Sequence, residues 1–161
     1  MNHDIQTILY ACDLGEGGET ALAYAIGLAG RIGARLQVLT VIDDERERSF
    51  VDTDSHVPQQ ALDKYHNARA ARTLAHIQAQ LADFYAARGA TAPLVPITEL
   101  IVHEGDDVPQ AILDEADRGG ADLILMASRG KGVVAGLLFG SATHEVLRRT
   151  HKPLLLVPVG P

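Results

Sequence analysis

Short apolar runs alternate with amphipathic segments along the chain, and this alternation predicts strands separated by helices. Runs of consecutive apolar residues are typical of strands buried on both faces of a parallel sheet. Five such strands are predicted, at 5–11, 36–42, 97–102, 123–126 and 154–157. Apolar residues at three- and four-residue spacing predict four helices between them, at 21–32, from about 59 to 88, at 107–118 and at 141–149. The second is a long helix that follows the segment 43–58, and its periodic apolar residues begin at Leu74.

The order of elements predicts an α/β fold: a doubly wound, open parallel five-stranded sheet with helices on both faces, Rossmann-like, in a single domain over 1–161. Such sheets bind ligands at the carboxyl ends of strands where the strand order reverses. The turns after the first and fourth strands are therefore the candidate sites.

The polar segment 43–58 has no clear period and is left unplaced. Three basic residues of the long helix are assigned to a solvated face: Arg69, Arg72 and His76.

Composition and charge narrow the classes of partner. With 47% hydrophobic residues the chain can bury a substantial core, and its formal charge of -7 argues against a nucleic-acid partner. No apolar run approaches the ~20 residues that span a bilayer, so no membrane insertion is expected. The single cysteine, Cys12, and an amino terminus without a signal-peptide pattern favour a cytoplasmic location.

A glycine-rich stretch joins the fourth strand to the last helix. Gly130, Gly132, Gly136 and Gly140 precede Ser141, where the helix begins. Backbone N–H groups of such a loop, together with a helix N-terminus, form a phosphate cradle to which Arg129 and Lys131 add charge. Glycines used only for loop flexibility and capping are the alternative interpretation.

Two other phosphate-binding patterns do not fit this stretch. A dinucleotide fingerprint can be written through Gly130, Gly132 and Ala135, but it follows the fourth strand and lacks the acidic residue about 20 positions later. A P-loop requires Ser or Thr after Gly-Lys, whereas Gly132 follows Lys131.

Gly130, nine intervening residues and Gly140-Ser141 resemble the ATP-binding motif of universal stress proteins, G-x-x-G, nine residues, G-S/T. The segments 8–13, 41–43 and 151–157 are similar to the family's first strand and acidic turn, the end of its second strand and its closing strand. Ala127 stands where the motif begins with glycine.

The resemblance implies an ATP site with defined contacts. Asp13 is expected near the adenosine, Val41 in the adenine pocket, and Gly130 with its neighbours at the phosphates. The full set of implied cofactor-binding residues is Ala11, Asp13, Val41, Met126, Ala127, Arg129, Gly130, Gly140, Ser141, Ala142 and Thr143. Magnesium is expected to arrive with the nucleotide, held mainly by phosphates and water.

Asp13, Cys12 and the histidines each have a structural interpretation that is simpler than a role in binding or catalysis. Asp13 follows a strand, where an Asp often only bonds the turn backbone, although the resemblance favours ligand contact. Cys12 is interpreted as a packing residue, since no basic neighbour in sequence lowers its pKa. The seven histidines show no zinc spacing, so no metal site is assigned. No catalytic residue is assigned either, because no catalytic set is evident in the sequence.

The leading functional hypothesis is a nucleotide-occupied regulatory module of the stress response, whose state a partner protein reads. Slow ATP hydrolysis or phosphoryl transfer is the enzymatic alternative. Ala127 keeps open a nucleotide-independent member of the fold, and a flavin site is a weaker alternative. The resemblance also implies a homodimer through the last strand, 154–157, with Leu156→Lys as its test.

Overall fold

The computed structural model describes residues 4–15, 17–43, 58–129 and 140–159. Within these ranges five strands alternate with four helices, and a 3₁₀ turn, Gly89–Thr91, follows the longest helix. The strands are β1 (Thr7–Cys12), β2 (Arg35–Asp43), β3 (Ile97–Gly105), β4 (Leu123–Arg129) and β5 (Leu154–Val159). The helices are α1 (Gly18–Ile32), α2 (Gln59–Arg88), α3 (Val108–Arg118) and α4 (Ser141–Arg149).

All neighbouring strands pair in parallel, in the order β3-β2-β1-β4-β5. The chain builds outward from β1 through β2 to β3, and then returns to the other side of β1 for β4 and β5. The strand order therefore reverses between β1 and β4. The predicted doubly wound parallel sheet is confirmed.

The alternation of side chains along the strands divides the core into two layers. In β1, Ile8 and Tyr10 face a cluster covered by α1 and α2, whereas Leu9 and Ala11 face a second cluster covered by α3 and α4. Ile8 and Leu9 are both fully buried. Burying one such side chain stabilises the fold by about 1.5–3 kcal/mol, so consecutive apolar residues in one strand hold both helix layers.

The turn between β1 and α1 is fixed by two close contacts. The hydroxyl of Tyr10 donates to the carbonyl of Gly18 at 3.1 Å, and burial raises the pKa of that hydroxyl. Gly17 has a left-handed φ of 87°, and a Cβ there would lie 2.5 Å from Cβ of Val159. Only glycine allows the turn to pass this close to the end of β5.

The long helix α2 begins at Gln59 and ends at Arg88, so a long helix follows the segment 43–58 and ends before Gly89, as predicted. Its first half has few apolar residues and so lacks a clear helical period, but it is rich in Ala, Gln and Arg, which favour helix. The assignment of Arg69 to the solvated face is wrong. Arg69 is 9% exposed, and its Nη2 donates to the carbonyl of Asp43 at 3.4 Å.

The strand β3 extends three residues past its predicted end at 102, to Gly105. The added residues are polar, and their side chains pair with side chains of helices on both faces of the sheet. Nδ1 of His66 in α2 lies 2.8 Å from Oε2 of Glu104, and Nδ1 of His103 lies 3.6 Å from Oε1 of Glu115 in α3. Most of the unplaced segment, 44–57, lies outside the described residues.

Candidate functional site

A cavity of about 100 Å³ opens at the carboxyl ends of β1 and β4, where the strand order reverses. Strands form its floor, and the first turns of α3 and α4 form its side. The lining residues are Ala11, Cys12, Asp13, Leu39, Val41, Val108, Ile112, Met126, Ala127, Ala142 and Thr143. The pocket is therefore mainly apolar, with a few polar groups at its margin.

The end of β1 supplies an exposed carboxylate to the cavity. Oδ1 of Asp13 accepts a hydrogen bond from the backbone N–H of Gly15 at 3.0 Å. The next residue, Leu14, has a left-handed φ of 58°, which is uncommon for a leucine and turns the chain sharply after the strand. Asp13 thus makes the local turn bond expected of an Asp at this place while it also lines the cavity.

Cys12 lies beside Asp13 but is held as a thiol. Its Sγ lies 2.9 Å from Oγ1 of Thr40, at the neighbouring position of β2. Burial raises the pKa of the thiol, with the hydrogen bond to Thr40 acting in the opposite direction. A thiol with a raised pKa is a poor nucleophile at neutral pH, so its packing and its bond to Thr40 account for this residue.

Strand β4 provides Met126 and Ala127, whose side chains point to opposite layers. Met126 packs with the α3/α4 cluster, whereas Ala127 packs against the α1/α2 cluster. Ala127 pairs with Val157 in β5 and continues the strand without interruption. The methyl group that replaces the expected glycine hydrogen is therefore accommodated in the α1/α2 core.

The N-terminus of α4 faces the cavity with backbone N–H donors. Its N-cap is Gly140, no described side chain caps the helix, and the first helical bond runs from the N–H of His144 to the carbonyl of Gly140. The N–H groups before His144 therefore lack helical acceptors, and the helix dipole places partial positive charge there. Ala142 and Thr143 of this turn line the cavity, and Thr143 is buried. N–H groups without helical acceptors, beside a pocket, suit an anion.

Helix α3 completes the same side of the cavity through Val108 and Ile112, one turn apart. Asp107 caps this helix, and its Oδ1 accepts from the backbone N–H of Gln110 at 3.0 Å. Arg149, the last residue of α4, donates from Nη1 to Oδ2 of Asp107 at 2.9 Å. The backbone N–H of Gln110 and the Arg149 guanidinium both lower the pKa of Asp107.

The structure brings most of the predicted site residues together. Seven of them line the cavity: Ala11, Asp13, Val41, Met126, Ala127, Ala142 and Thr143. Gly140 and Ser141 begin α4, both exposed, and Arg129 is the last residue of β4. Gly130 and the rest of the predicted glycine loop up to residue 139 lie outside the described residues.

Four lining residues were not predicted: Cys12, Leu39, Val108 and Ile112. Leu39 could have been found from strand alternation, because it lies two positions before Val41 on the same face of β2. Val108 and Ile112 have the i, i+4 spacing of one helix face, but only the sheet order shows that this face meets the end of β1.

A larger cavity, of about 470 Å³, lies between α1 and α2. It is lined by helix residues and by none of the predicted site residues, and no strand residue lines it. The position at the switch point and the predicted residues in its lining therefore favour the smaller cavity as the ligand site, although the other cavity has the larger volume.

In the described part of the chain, no group of three or more His, Cys, Asp or Glu side chains is arranged to hold a metal ion. None of its helices is long and apolar enough to cross a membrane.

Comparison with known proteins places this fold and site in context. The model of the universal stress protein family matches residues 4–158. A universal stress protein of Thermus aquaticus, encoded in the QAH/OAS sulfhydrylase 3' region, is 30% identical over 152 residues, which cover 94% of this chain and 98% of that protein.

Solved structures agree with the fold at lower identity. A universal stress protein in complex with cAMP has a TM-score of 0.67 and 22% identity, with 98% of this chain and 99% of that chain covered. The universal stress protein of Archaeoglobus fulgidus in complex with dAMP has a TM-score of 0.51 and 14% identity, with 94% and 96% covered. The family match over almost the whole length and the Thermus relative together show that the chain belongs to the universal stress protein family.

Proposed function

We propose that the protein binds ATP in the cavity between the ends of β1 and β4 and acts as a dimeric regulatory module of the stress response. The observation that carries the proposal is the meeting of an apolar pocket with a helix N-terminus that no described side chain caps, at the switch point of the sheet. An adenine nucleotide has the matching division, with an apolar base and ribose at one end and an anion at the other.

The chemistry of the lining residues fits each part of the nucleotide. Ala11, Val41 and Met126 give apolar surface for the base, and the carboxylate of Asp13 lies where it can accept from ribose hydroxyls. The turn of α4, Gly140–Thr143, offers backbone donors to the phosphates. Arg129 and Gly130 complete the phosphate end in this proposal, and magnesium arrives with the phosphates.

The ligands of two structural neighbours support an adenine nucleotide as the class of ligand. One neighbour is a complex with cAMP and the other a complex with dAMP, which share the adenine base. The two differ from each other in sugar and phosphate. The adenine base is therefore what the two ligands have in common. The neighbours support an adenine nucleotide as the class of ligand, and ATP as the particular nucleotide is our proposal.

The polar groups of the described cavity favour binding over rapid turnover. They are one carboxylate, Asp13, which is engaged with Gly15; one thiol, Cys12, whose pKa is raised; and the hydroxyl of Thr143. Phosphoryl transfer needs a positioned base together with several charge stabilisers. A ligand that is held and changes the protein's state fits this set better than a fast reaction does.

The homodimer is proposed through β5. This strand lies at one end of the strand order, and Leu155 is 37% exposed on it. An exposed apolar edge strand is protected when it pairs with its copy. Leu156 packs against the α3/α4 cluster, so Leu155→Lys tests the interface better than Leu156→Lys. The proposal expects Leu155→Lys to give a folded monomer by light scattering, and an unchanged dimer would contradict it.

Calorimetric titration tests the ligand. We expect ATP to bind at one site per chain and GTP to bind at least tenfold more weakly, because the base lies in a fitted apolar pocket. Comparison with cAMP and adenosine shows how much the phosphates contribute. Equal affinity for ATP and GTP would contradict a site that recognises adenine. If the protein is a regulatory module, a partner protein is expected to be recovered with it from a cytoplasmic extract in the presence of ATP and not in its absence.

A further inference from the structure

One carboxylate, that of Asp107, connects the two helices at the side of the cavity. Its Oδ1 caps α3 through the N–H of Gln110 at 3.0 Å. Nη1 of Arg149 donates to both oxygens of the same carboxylate, at 2.9 Å to Oδ2 and 3.3 Å to Oδ1. The start of α3 is thereby joined to the end of α4.

Arg149 is itself oriented by its own helix. Its Nε donates to Oε2 of Glu145 at 3.1 Å, and Nη2 of Arg148 donates to the same oxygen at 2.7 Å. Glu145 therefore holds two arginines on α4, and one of them reaches across to α3. An arginine fixed on both sides loses less freedom when it pairs, and this favours a defined geometry.

The contact between the helices lies next to the cavity. Val108, the residue directly after Asp107, lines it, and so do Ala142 and Thr143 in the first turn of α4. Helix α4 has only nine residues, so a shift at its Arg149 end moves its first turn as well. The pairing of Asp107 with Arg149 thus helps to set the direction of the N–H groups in the first turn of α4.

We propose that Asp107 and Arg149 are positioning residues that aim the N-terminus of α4 at the phosphates of the bound nucleotide. The inference rests on the proposed function, since it assigns the α4 turn to the phosphates. Both side chains are partly exposed, at 54% and 32%. Exposed ion pairs add little to overall stability. The ion pair is expected to affect binding through the direction in which the N–H groups of α4 point, because hydrogen bonds from N–H groups weaken steeply as their angle departs from linearity.

The experiment separates the ion pair from the helix cap. Asp107→Asn keeps an N-cap residue, because Asn caps about as well as Asp, but it removes the charge that Arg149 binds. Arg149→Gln removes the other partner. Arg118→Gln is the matched control, because Arg118 is likewise an exposed arginine at the end of a helix, here α3, and pairs with Glu115 and Glu99. Affinities for ATP and for adenosine are measured for each variant and for the double variant.

The inference predicts about a threefold weaker affinity for ATP in Asp107→Asn and in Arg149→Gln, in the range expected for one exposed ion pair. The double variant is expected to be no weaker than either single variant, since both remove the same interaction. Adenosine affinity is expected to stay unchanged, because adenosine has no phosphate for α4 to hold. Arg118→Gln is expected to bind both ligands as the unmodified protein does.

Two results would overturn the inference. One is ATP affinity that is unchanged in both variants, and the other is an equal loss for ATP and adenosine, which indicates a general structural role. Hydrogen exchange of the α4 backbone, measured without nucleotide, gives an independent readout. Faster exchange at His144, whose N–H donates to the carbonyl of Gly140, is expected in Asp107→Asn, and equal exchange contradicts the inference. Failure of the unmodified protein to bind ATP would instead contradict the proposed function.

Discussion

The two faces of the sheet share the same strands but differ in what they enclose. On the α1/α2 face, Ala21, Ala25 and Ala29 of α1 are fully buried, so the helix packs closely on the strands. On the α3/α4 face, the strand ends and the first turns of two helices surround a cavity. Small side chains pack α1 closely onto the strands, and the cavity of that layer lies between its helices, whereas on the other layer small side chains leave room for a ligand at the strand ends.

The lengths of the helices contribute to this difference. α1 and α2 have 15 and 30 residues, whereas α3 and α4 have 11 and nine. The two short helices meet the cavity near their N-termini, and in α4 the N–H groups before His144 have no helical acceptor there. Stability and binding are thereby assigned largely to different layers. Substitutions on the two faces are expected to separate these properties.

The largest effect is expected from the closed face. Ile26→Ala removes a fully buried side chain of the α1/α2 cluster and is expected to lower the free energy of unfolding by about 2–4 kcal/mol. Urea unfolding measures the change. Ile32→Ala is the control, because Ile32 is 45% exposed. Equal losses for the two variants would contradict the assignment of the core to this face.

A second variant acts on the turn that joins β1 to this face. Gly17→Ala places a Cβ 2.5 Å from Cβ of Val159 at a left-handed φ, so we expect a loss of about 2 kcal/mol in the free energy of unfolding. Gly27→Ala is the control. Its new methyl group meets nothing within 4 Å in the interior of α1, and a gain of up to about 1 kcal/mol is expected. A Gly17→Ala protein as stable as the original would show that the turn tolerates a side chain.

The open face is tested by filling its cavity. Ala142→Leu adds bulk beside a space of about 100 Å³ and is expected to weaken ATP binding at least tenfold, with little change in the unfolding midpoint. Ala87→Leu is the matched control, because Ala87 is exposed and lines the larger cavity between α1 and α2. Undiminished ATP affinity in Ala142→Leu would remove the cavity from the site.

The smallest effect concerns pH. The backbone N–H of Gln110 and the Arg149 guanidinium lower the pKa of Asp107 in the folded protein, so its contribution to stability is present above the unfolded pKa of about 3.9. That contribution is lost as the pH falls through the lower folded value. The difference in unfolding midpoint between the unmodified protein and Asp107→Asn is therefore expected at pH 7 and should shrink toward pH 3. A difference that grows on acidification contradicts this sign.

The fold could be predicted from sequence because each strand is a continuous apolar run and each run is bounded by turn residues. Helix α4 was predicted with its bounds correct, 141–149, because Gly140 and Pro153 flank it clearly. The long helix α2 was predicted after the segment 43–58, although only its second half has a clear apolar period. Arg69 was misassigned because its burial goes with a bond to the carbonyl of Asp43, far away in the chain.

The candidate site was predictable where a motif marks it and not where packing alone builds it. Asp13 and Gly140 follow from strand ends and glycines, which sequence shows directly. Val108 enters the cavity only because α3 crosses beside the end of β1. The place of the Ala127 methyl group, in the α1/α2 core, also required the three-dimensional packing of β4.

The identity of the small molecule carried by freshly purified protein tests the central claim most directly. The protein is denatured, and the released molecules are separated and identified by mass spectrometry. The account predicts ATP at close to one per chain. A protein that releases no adenine nucleotide, and takes up none when ATP and magnesium are added, would contradict it.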